Sequence, residues 1–163
     1  MDYTCLDYFN YYLKEFCNEI TANFPDFEKS VVENYRPLLE AKQCKNDIYV
    51  KCFVSKVNNY MEAICARDAN VFNPAGHIDK ETGLVSGLFL LEGVDFIKLW
   101  ASCTAENQGT VWKYLQLLTI IGRRVILNKA EVVELLNSVG NQVSAPAKVE
   151  KTLLAPEEDL SDA

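Results

Sequence analysis

The side chains in this chain that are able to do chemistry include one histidine, six cysteines and 23 acidic residues. A zinc centre needs Cys or His ligands at short spacing, and the sequence contains neither a CxxC nor an HxxxH pattern. The thiols of Cys44 and Cys52 lie eight residues apart, and Cys65 follows thirteen residues later. A metal site would therefore have to collect its ligands from distant segments, and we predict no metal and no other cofactor.

Nucleophilic catalysis would depend on His77, the one imidazole that could serve as a base for a thiol. It falls in NPAGHIDKETG, a composition typical of a loop, where most histidines are merely solvated. The same segment lacks the GxxxxGK[ST] spacing of a phosphate loop and the Asp/Asn ladder of a calcium loop. Acidic residues are abundant, but no spacing marks one carboxylate pair above another. These patterns predict that the protein is not an enzyme.

The net charge of −7 argues against nucleic acid and anionic membranes as direct partners. The apolar run YLQLLTII is eight residues long, well short of the roughly 18 that a bilayer requires. The amino-terminal residues lack the basic and smoothly apolar regions of a secretory signal, and the cysteines are scattered along apolar helical faces. We therefore expect reduced thiols, a reducing compartment and protein partners.

The elements that position these residues follow a helical period. Apolar residues spaced by three and four predict an amphipathic helix from Tyr3 to Phe24. Its stripe comprises Leu6, Phe9, Leu13, Phe16, Cys17, Ile20 and Phe24. Tyr8, Tyr11 and Tyr12 lie off that stripe, which indicates either burial on two sides of the helix or an interface.

The middle of the chain predicts two further helices and a long connection. Pro25 interrupts the first helix, and Asp26 is a suitable start for the second, which Pro37 should kink or end. A third helix is predicted over residues 46–67. Residues 68–92 are rich in Asn, Asp, Pro and Gly, and a connection of about 20 residues is either functional or wrapped on the surface.

Two caps mark the helices that follow. Asp95 is predicted to cap a short helix carrying Trp100, and Thr104 to cap a helix that continues to Arg124. The second of these helices is apolar around most of its circumference, which predicts a central position in a helical domain. Trp112 lies on it, twelve residues after Trp100, and the two rings could pack across the short turn as core residues or as interface anchors.

The carboxyl-terminal part predicts one more helix and a mobile tail. A capping-box pattern at Asn128 and a glycine at Gly140 bound the helix. The segment after it contains two prolines, small residues and an acidic end, so it should be mobile in isolation. Its Leu153-Leu154 pair, followed by acids, could dock on a partner.

The segments VDFIKLW and ENQGTVWKYLQLL resemble part of certain proteins of nucleocytoplasmic large DNA viruses. In those proteins a short DFxxLW element precedes a helix with the approximate sequence IWKYLQ. The matching residues are Asp95, Phe96, Leu99, Trp100, Trp112, Lys113, Tyr114, Leu115 and Gln116. The resemblance extends from about residue 90 to 121. It implies a protein made in infected cytoplasm, packaged in the particle or acting in viral factories, and it carries over no catalytic residue.

Together these features predict an all-α fold: a compact bundle of five or six helices in residues 1–142, with a long mid-chain loop and a flexible acidic tail over 143–163. The leading functional hypothesis is a non-enzymatic protein–protein interaction or structural component, virion-associated or a minor capsid protein. The alternative is a small regulatory or adaptor protein that binds host or viral transcription or signalling machinery. Self-association is a further possibility. The candidate interaction residues are Tyr8, Tyr11, Tyr12, Trp100, Trp112, Tyr114, Leu153 and Leu154.

Overall fold

The structure, a computed structural model, describes residues 3–126. Within that range the chain is mostly helical and has no β-strand, so the all-α prediction is confirmed. The α-helices are α1 Tyr3–Asn23, α2 Glu28–Glu40, α3 Ile48–Val57, α4 Met61–Cys65, α5 Phe96–Ala101 and α6 Ala105–Ile126. The helix predicted at 128–140 and the tail predicted at 143–163 lie outside the described residues.

Helix α6 forms the centre of the described domain. It packs against α1, α3 and α4, and most of its side chains beyond Thr110 are buried. It runs antiparallel to α1, because Tyr114 stacks on Phe16 with ring centroids 5.1 Å apart, while Gly122 lies against Phe9. The central position predicted from its apolar circumference is confirmed.

The junction between α1 and α2 differs slightly from the prediction. The apolar stripe of α1 is buried as expected, and the helix ends at Asn23, just before Pro25. The second helix begins at Glu28 rather than at Asp26, because Pro25–Phe27 forms a 3-10 turn. This turn closes when the Phe27 N–H donates to the Phe24 carbonyl at 3.0 Å.

Pro37 bends α2 without ending it. The helix continues to Glu40, but Tyr35 has non-helical dihedral angles of φ −123° and ψ 16°. A proline inside a helix removes one N–H donor and crowds the preceding turn, which accounts for the kink. The predicted kink is confirmed. The buried Tyr35 hydroxyl accepts a hydrogen bond from the Glu92 N–H at 2.8 Å, which ties the mid-chain loop to α2.

The single helix predicted over residues 46–67 is wrong, because the chain forms two helices there. A 3-10 turn over Asn58–Tyr60 separates α3 from α4. Two consecutive asparagines have low helix propensity and favour such a break. The expected end near Arg67 is confirmed, since Arg67 adopts a left-handed conformation with φ 52°.

The mid-chain loop is wrapped on the domain and anchored by apolar side chains. Its buried residues are Val71, Phe72, Leu88, Leu90 and Leu91. Between them the chain doubles back, with an isolated antiparallel bridge pairing Ile78 and Val85. The loop is therefore wrapped on the surface of the domain, as one of the two predicted alternatives has it.

Both predicted caps are present. The Asp95 carboxylate accepts hydrogen bonds from the N–H groups of Ile97 and Leu88, each at 3.0 Å. It therefore starts α5 and also fixes the end of the loop. The Thr104 hydroxyl accepts from the Asn107 N–H at 3.1 Å at the start of α6.

Two glycines of α6 are expected to respond to alanine in opposite directions. A Cβ on Gly122 would lie 2.9 Å from Val54 Cγ2 and 3.3 Å from Phe9 Cε2, whereas a Cβ on Gly109 would meet nothing within 4 Å. We expect Gly122→Ala to destabilise the fold by about 1–2 kcal/mol through overpacking. Gly109→Ala should stabilise it by up to about 1 kcal/mol, because alanine favours the helix. Urea denaturation of both variants measures the difference, and effects of the same sign would contradict the close contact at Gly122.

Candidate functional site

Three of the predicted interaction residues lie together on the amino-terminal half of α1. Tyr8, Tyr11 and Tyr12 follow the i, i+3, i+4 spacing that places side chains on neighbouring positions of one helix surface. Tyr11 is 57% exposed, Tyr8 is half-buried and Tyr12 is buried. The rings of Tyr11 and Tyr12 meet edge to face, with centroids 5.1 Å apart. The exposure of these rings therefore decreases from Tyr11 through Tyr8 to Tyr12.

These tyrosines line a cavity of about 440 Å³ between α1 and the connection from α2 to α3. This size falls within the range of pockets that bind small molecules or single anchor side chains. Leu38, which is buried, contributes an apolar wall. We call this cavity the tyrosine pocket. Its lining residues are Asp7, Tyr8, Asn10, Tyr11, Tyr12, Lys14, Leu38, Ala41, Lys42, Gln43 and Cys44.

Asn10 holds the far wall of the tyrosine pocket in place. Its side-chain nitrogen donates to the backbone carbonyls of Cys44 and Asn46 at 2.9 and 3.0 Å. The residue is 2% exposed, and its amide oxygen has no hydrogen-bond partner among the described residues. A buried amide used in this way fixes the loop against α1, since leaving the two carbonyls unpaired would be costly.

The charges of the pocket have the opposite balance to those of the whole chain. Lys14 and Lys42 line it together with a single acidic residue, Asp7, although the chain carries a net charge of −7. The Lys14 ammonium donates to the Ala41 carbonyl at 2.8 Å, which uses one of its three hydrogens. The pocket is therefore suited to an occupant that carries negative charge beside an apolar group.

The hydroxyls of Tyr11, Tyr12 and Tyr114 have raised pKa values and remain neutral well above physiological pH. A hydrogen bond to the Glu15 carboxylate raises the pKa of Tyr11, and burial followed by the charge of Glu15 raises the pKa of Tyr12. Burial also raises the pKa of Tyr114 to about 12. Neutral phenols offer apolar ring faces and hydrogen-bonding hydroxyls together, a combination enriched where proteins contact each other.

The other aromatic candidates belong to the core. Trp112 and Tyr114 are each 6% exposed, and Trp100 is half-buried. The two indole rings pack edge to face with centroids 5.2 Å apart, and Phe72 stacks on Trp100 at 4.4 Å. Trp100 and Trp112 thus hold Phe72 of the mid-chain loop against α5 and α6, whereas Tyr114 stacks on Phe16 of α1. Leu153 and Leu154 lie outside the described residues.

A group of exposed apolar side chains on the mid-chain loop was not predicted. Ile78, Leu84, Val85 and Phe89 on the mid-chain loop are between 47% and 69% exposed. Asn10 and Lys14 were also missed as pocket residues, because their partners lie 27 to 36 residues away in the sequence. The only sequence signal for the pocket is the tyrosine surplus on α1.

The side chains considered for catalysis are hydrogen-bonded, packed or buried within the fold. His77 donates from Nε2 to the Val71 carbonyl at 2.7 Å, and its ring lies against Tyr60. No disulfide joins any of the six cysteines, all of which are among the described residues, and burial raises the pKa of Cys17 to about 12 and that of Cys65 to about 11. Within residues 3–126, no group of three or more His, Cys, Asp or Glu side chains is arranged to hold a metal ion.

Comparison with known proteins assigns no family. Neither a protein-family model, nor a curated protein, nor a solved structure matches this chain. In the described part of the chain, no helix combines the length and apolar character needed to cross a bilayer, as predicted for this range. The chemistry of the tyrosine pocket is therefore the basis for a functional proposal.

Proposed function

We propose that this chain is a non-enzymatic protein-interaction domain whose tyrosine pocket binds an acidic, apolar segment of a partner protein. The carrying observation is the placement of Tyr8, Tyr11 and Tyr12 with two lysines around one cavity of about 440 Å³. The rings and Leu38 supply a surface for an apolar anchor side chain. Lys14 and Lys42 supply positive charge for a neighbouring carboxylate.

The physical support is strongest for Tyr11. Its ring is 57% exposed and already held by the edge-to-face contact with Tyr12, so burying it against a partner costs little conformational freedom. Asn10 fixes the opposite wall by two hydrogen bonds to the loop backbone. A largely preformed pocket binds more tightly than one that must be ordered on binding.

Selection from a random peptide display library tests the proposal. We expect the full chain to enrich peptides in which a large apolar residue lies beside Asp or Glu. Tyr11→Ala should weaken their binding about tenfold, a typical loss for a tyrosine anchor. Tyr3→Ala is the matched control, because Tyr3 is 59% exposed on the same helix but does not line the pocket. Absence of any enriched sequence, or equal losses for the two variants, would overturn the proposal.

The resemblance of residues 95–116 to proteins of large DNA viruses motivates a wider form of the proposal, in which the chain is a virion-associated or minor capsid component. Quantitative mass spectrometry of gradient-purified particles tests this form. A fixed copy number per particle is the expected result. Abundance in infected cells with absence from particles would instead favour a regulatory or adaptor role.

A further inference from the structure

The described part of the chain ends at the same end of the domain as the tyrosine pocket. Helix α6 runs antiparallel to α1, with Tyr114 level with Phe16 and Gly122 level with Phe9. Ile126, the last described residue of α6, therefore lies about one turn beyond Phe9, towards the amino-terminal end of α1. The pocket is lined by residues 7–14 of that same end.

The sequence that follows includes a segment with the chemistry that the pocket suits. Residues 153–159 read LLAPEED, in which two leucines precede three carboxylates. The leucines match the apolar wall of Leu38 and the tyrosine rings, and the carboxylates match Lys14 and Lys42. Chain length does not limit the reach, because residues 127–152 would span about 40 Å if fully helical and about 85 Å if fully extended.

We infer that residues 153–159 of the same molecule occupy the tyrosine pocket until a partner segment displaces them. This inference rests on the proposed function, since it names the first ligand of the same pocket. A tether of this length gives an effective concentration on the order of 1 mM. A segment that binds with a dissociation constant near 1 mM would thus fill the pocket about half of the time at any protein concentration. A partner must carry similar chemistry and bind more tightly.

A labelled peptide tests the inference by competition. Fluorescein-labelled peptide 150–163 is titrated with the wild-type full chain and with the full-length Leu153→Ala/Leu154→Ala variant, and anisotropy is measured. The variant should bind the peptide at least about twofold more tightly, because its own segment no longer fills the pocket. Equal affinities for the two chains would overturn the inference.

Charge reversal provides a second, independent test. Lys42→Glu, made in the Leu153→Ala/Leu154→Ala chain, should weaken the binding of the labelled peptide about tenfold. An attractive charge pair becomes repulsive in this variant. A peptide carrying Glu157→Lys and Glu158→Lys should recover that affinity. Lys80→Glu in the same background is the matched control, because it makes the same change in charge on a residue outside the pocket lining. Equal losses for Lys42→Glu and Lys80→Glu would overturn the inference.

The remaining outcomes separate this inference from the proposed function. If display-selected peptides bind wild type and the double-leucine variant equally while peptide 150–163 binds neither, the inference fails and the proposed function stands. If no peptide binds either chain, both fail. Light scattering decides whose segment is bound: a wild-type dimer that becomes a monomer in the double-leucine variant would place the segment in a second copy and overturn the intramolecular form.

Discussion

Replacing Phe72 with alanine is expected to lower the free energy of unfolding by about 3–5 kcal/mol, the usual cost of removing a buried phenylalanine. Phe72 is 3% exposed, and its ring contacts Trp100 at 4.4 Å, Trp112 at 5.1 Å and Phe96 at 6.4 Å between centroids. It is the aromatic residue through which the mid-chain loop joins the core. Its loss leaves a cavity among three rings that α5 and α6 hold in place.

Tryptophan fluorescence during urea denaturation measures this effect directly, because Trp100 and Trp112 are the only tryptophans of the chain. The matched control is Phe89→Ala, on the same loop but 47% exposed, which should change the stability by less than about 0.5 kcal/mol. Similar losses for the two variants would show that the Phe72 cluster does not anchor the loop.

Gln116→Leu is expected to destabilise the protein by about 2–4 kcal/mol, because the Cys65 carbonyl and Arg67 Nε would lose their hydrogen bonds to the amide and the Ile64 carbonyl would keep only its bond from the Arg67 N–H. Gln116 is fully buried, and its side-chain nitrogen donates to the carbonyls of Ile64 and Cys65 at 3.2 and 3.0 Å. Its oxygen accepts from Arg67 Nε at 3.1 Å. One amide thus satisfies the end of α4 and fastens it to the central helix. Leucine has a similar size but offers no donor.

Hydrogen exchange localises the effect of this substitution. Relative to wild type, Gln116→Leu should speed hydrogen exchange more for the amides of α4 than for those of α2. The reason is that the lost hydrogen bonds are made by carbonyls at the end of α4. Gln43→Leu is the control for stability, because Gln43 is an exposed glutamine. A stability change below about 0.5 kcal/mol in Gln116→Leu would mean that water or other donors replace the amide.

Features that depend on neighbouring residues were predictable from the sequence. The stripe of α1, the kink near Pro37 and the caps at Asp95 and Thr104 are all present. Each depends on residues within about one helical turn, so spacing and residue type contain the information. The central position of α6 followed from its apolar circumference for the same reason.

Features that depend on distant partners were not predictable. The tyrosine pocket exists because Asn10 reaches the carbonyls of residues 44 and 46, and no local pattern encodes that contact. Gln116 interrupts an apolar run in the sequence, yet it is a core residue whose partners lie about 50 positions earlier. The break at Asn58 was masked by an apolar period that continues across it.

Tyr11 and Tyr114 show the same limit of prediction from sequence for two residues of one type. Composition could not separate Tyr11, which is exposed at the pocket, from Tyr114, which stacks on Phe16 in the core. Both are tyrosines on apolar helices, and both lie near Glu15. Only the pairing of α1 with α6 decides which of them is covered.

That antiparallel pairing also constrains how the protein folds during synthesis. The contacts between Phe16 and Tyr114 and between Phe9 and Gly122 join residues about a hundred positions apart. At a translation rate of 5–20 residues per second, roughly 5–20 s pass between the emergence of α1 from the ribosome and that of α6. During that interval Phe9 and Phe16 lack their native contacts with α6. Nascent chains of this protein should therefore engage a chaperone early, and release should coincide with the emergence of α6 rather than with that of any earlier helix.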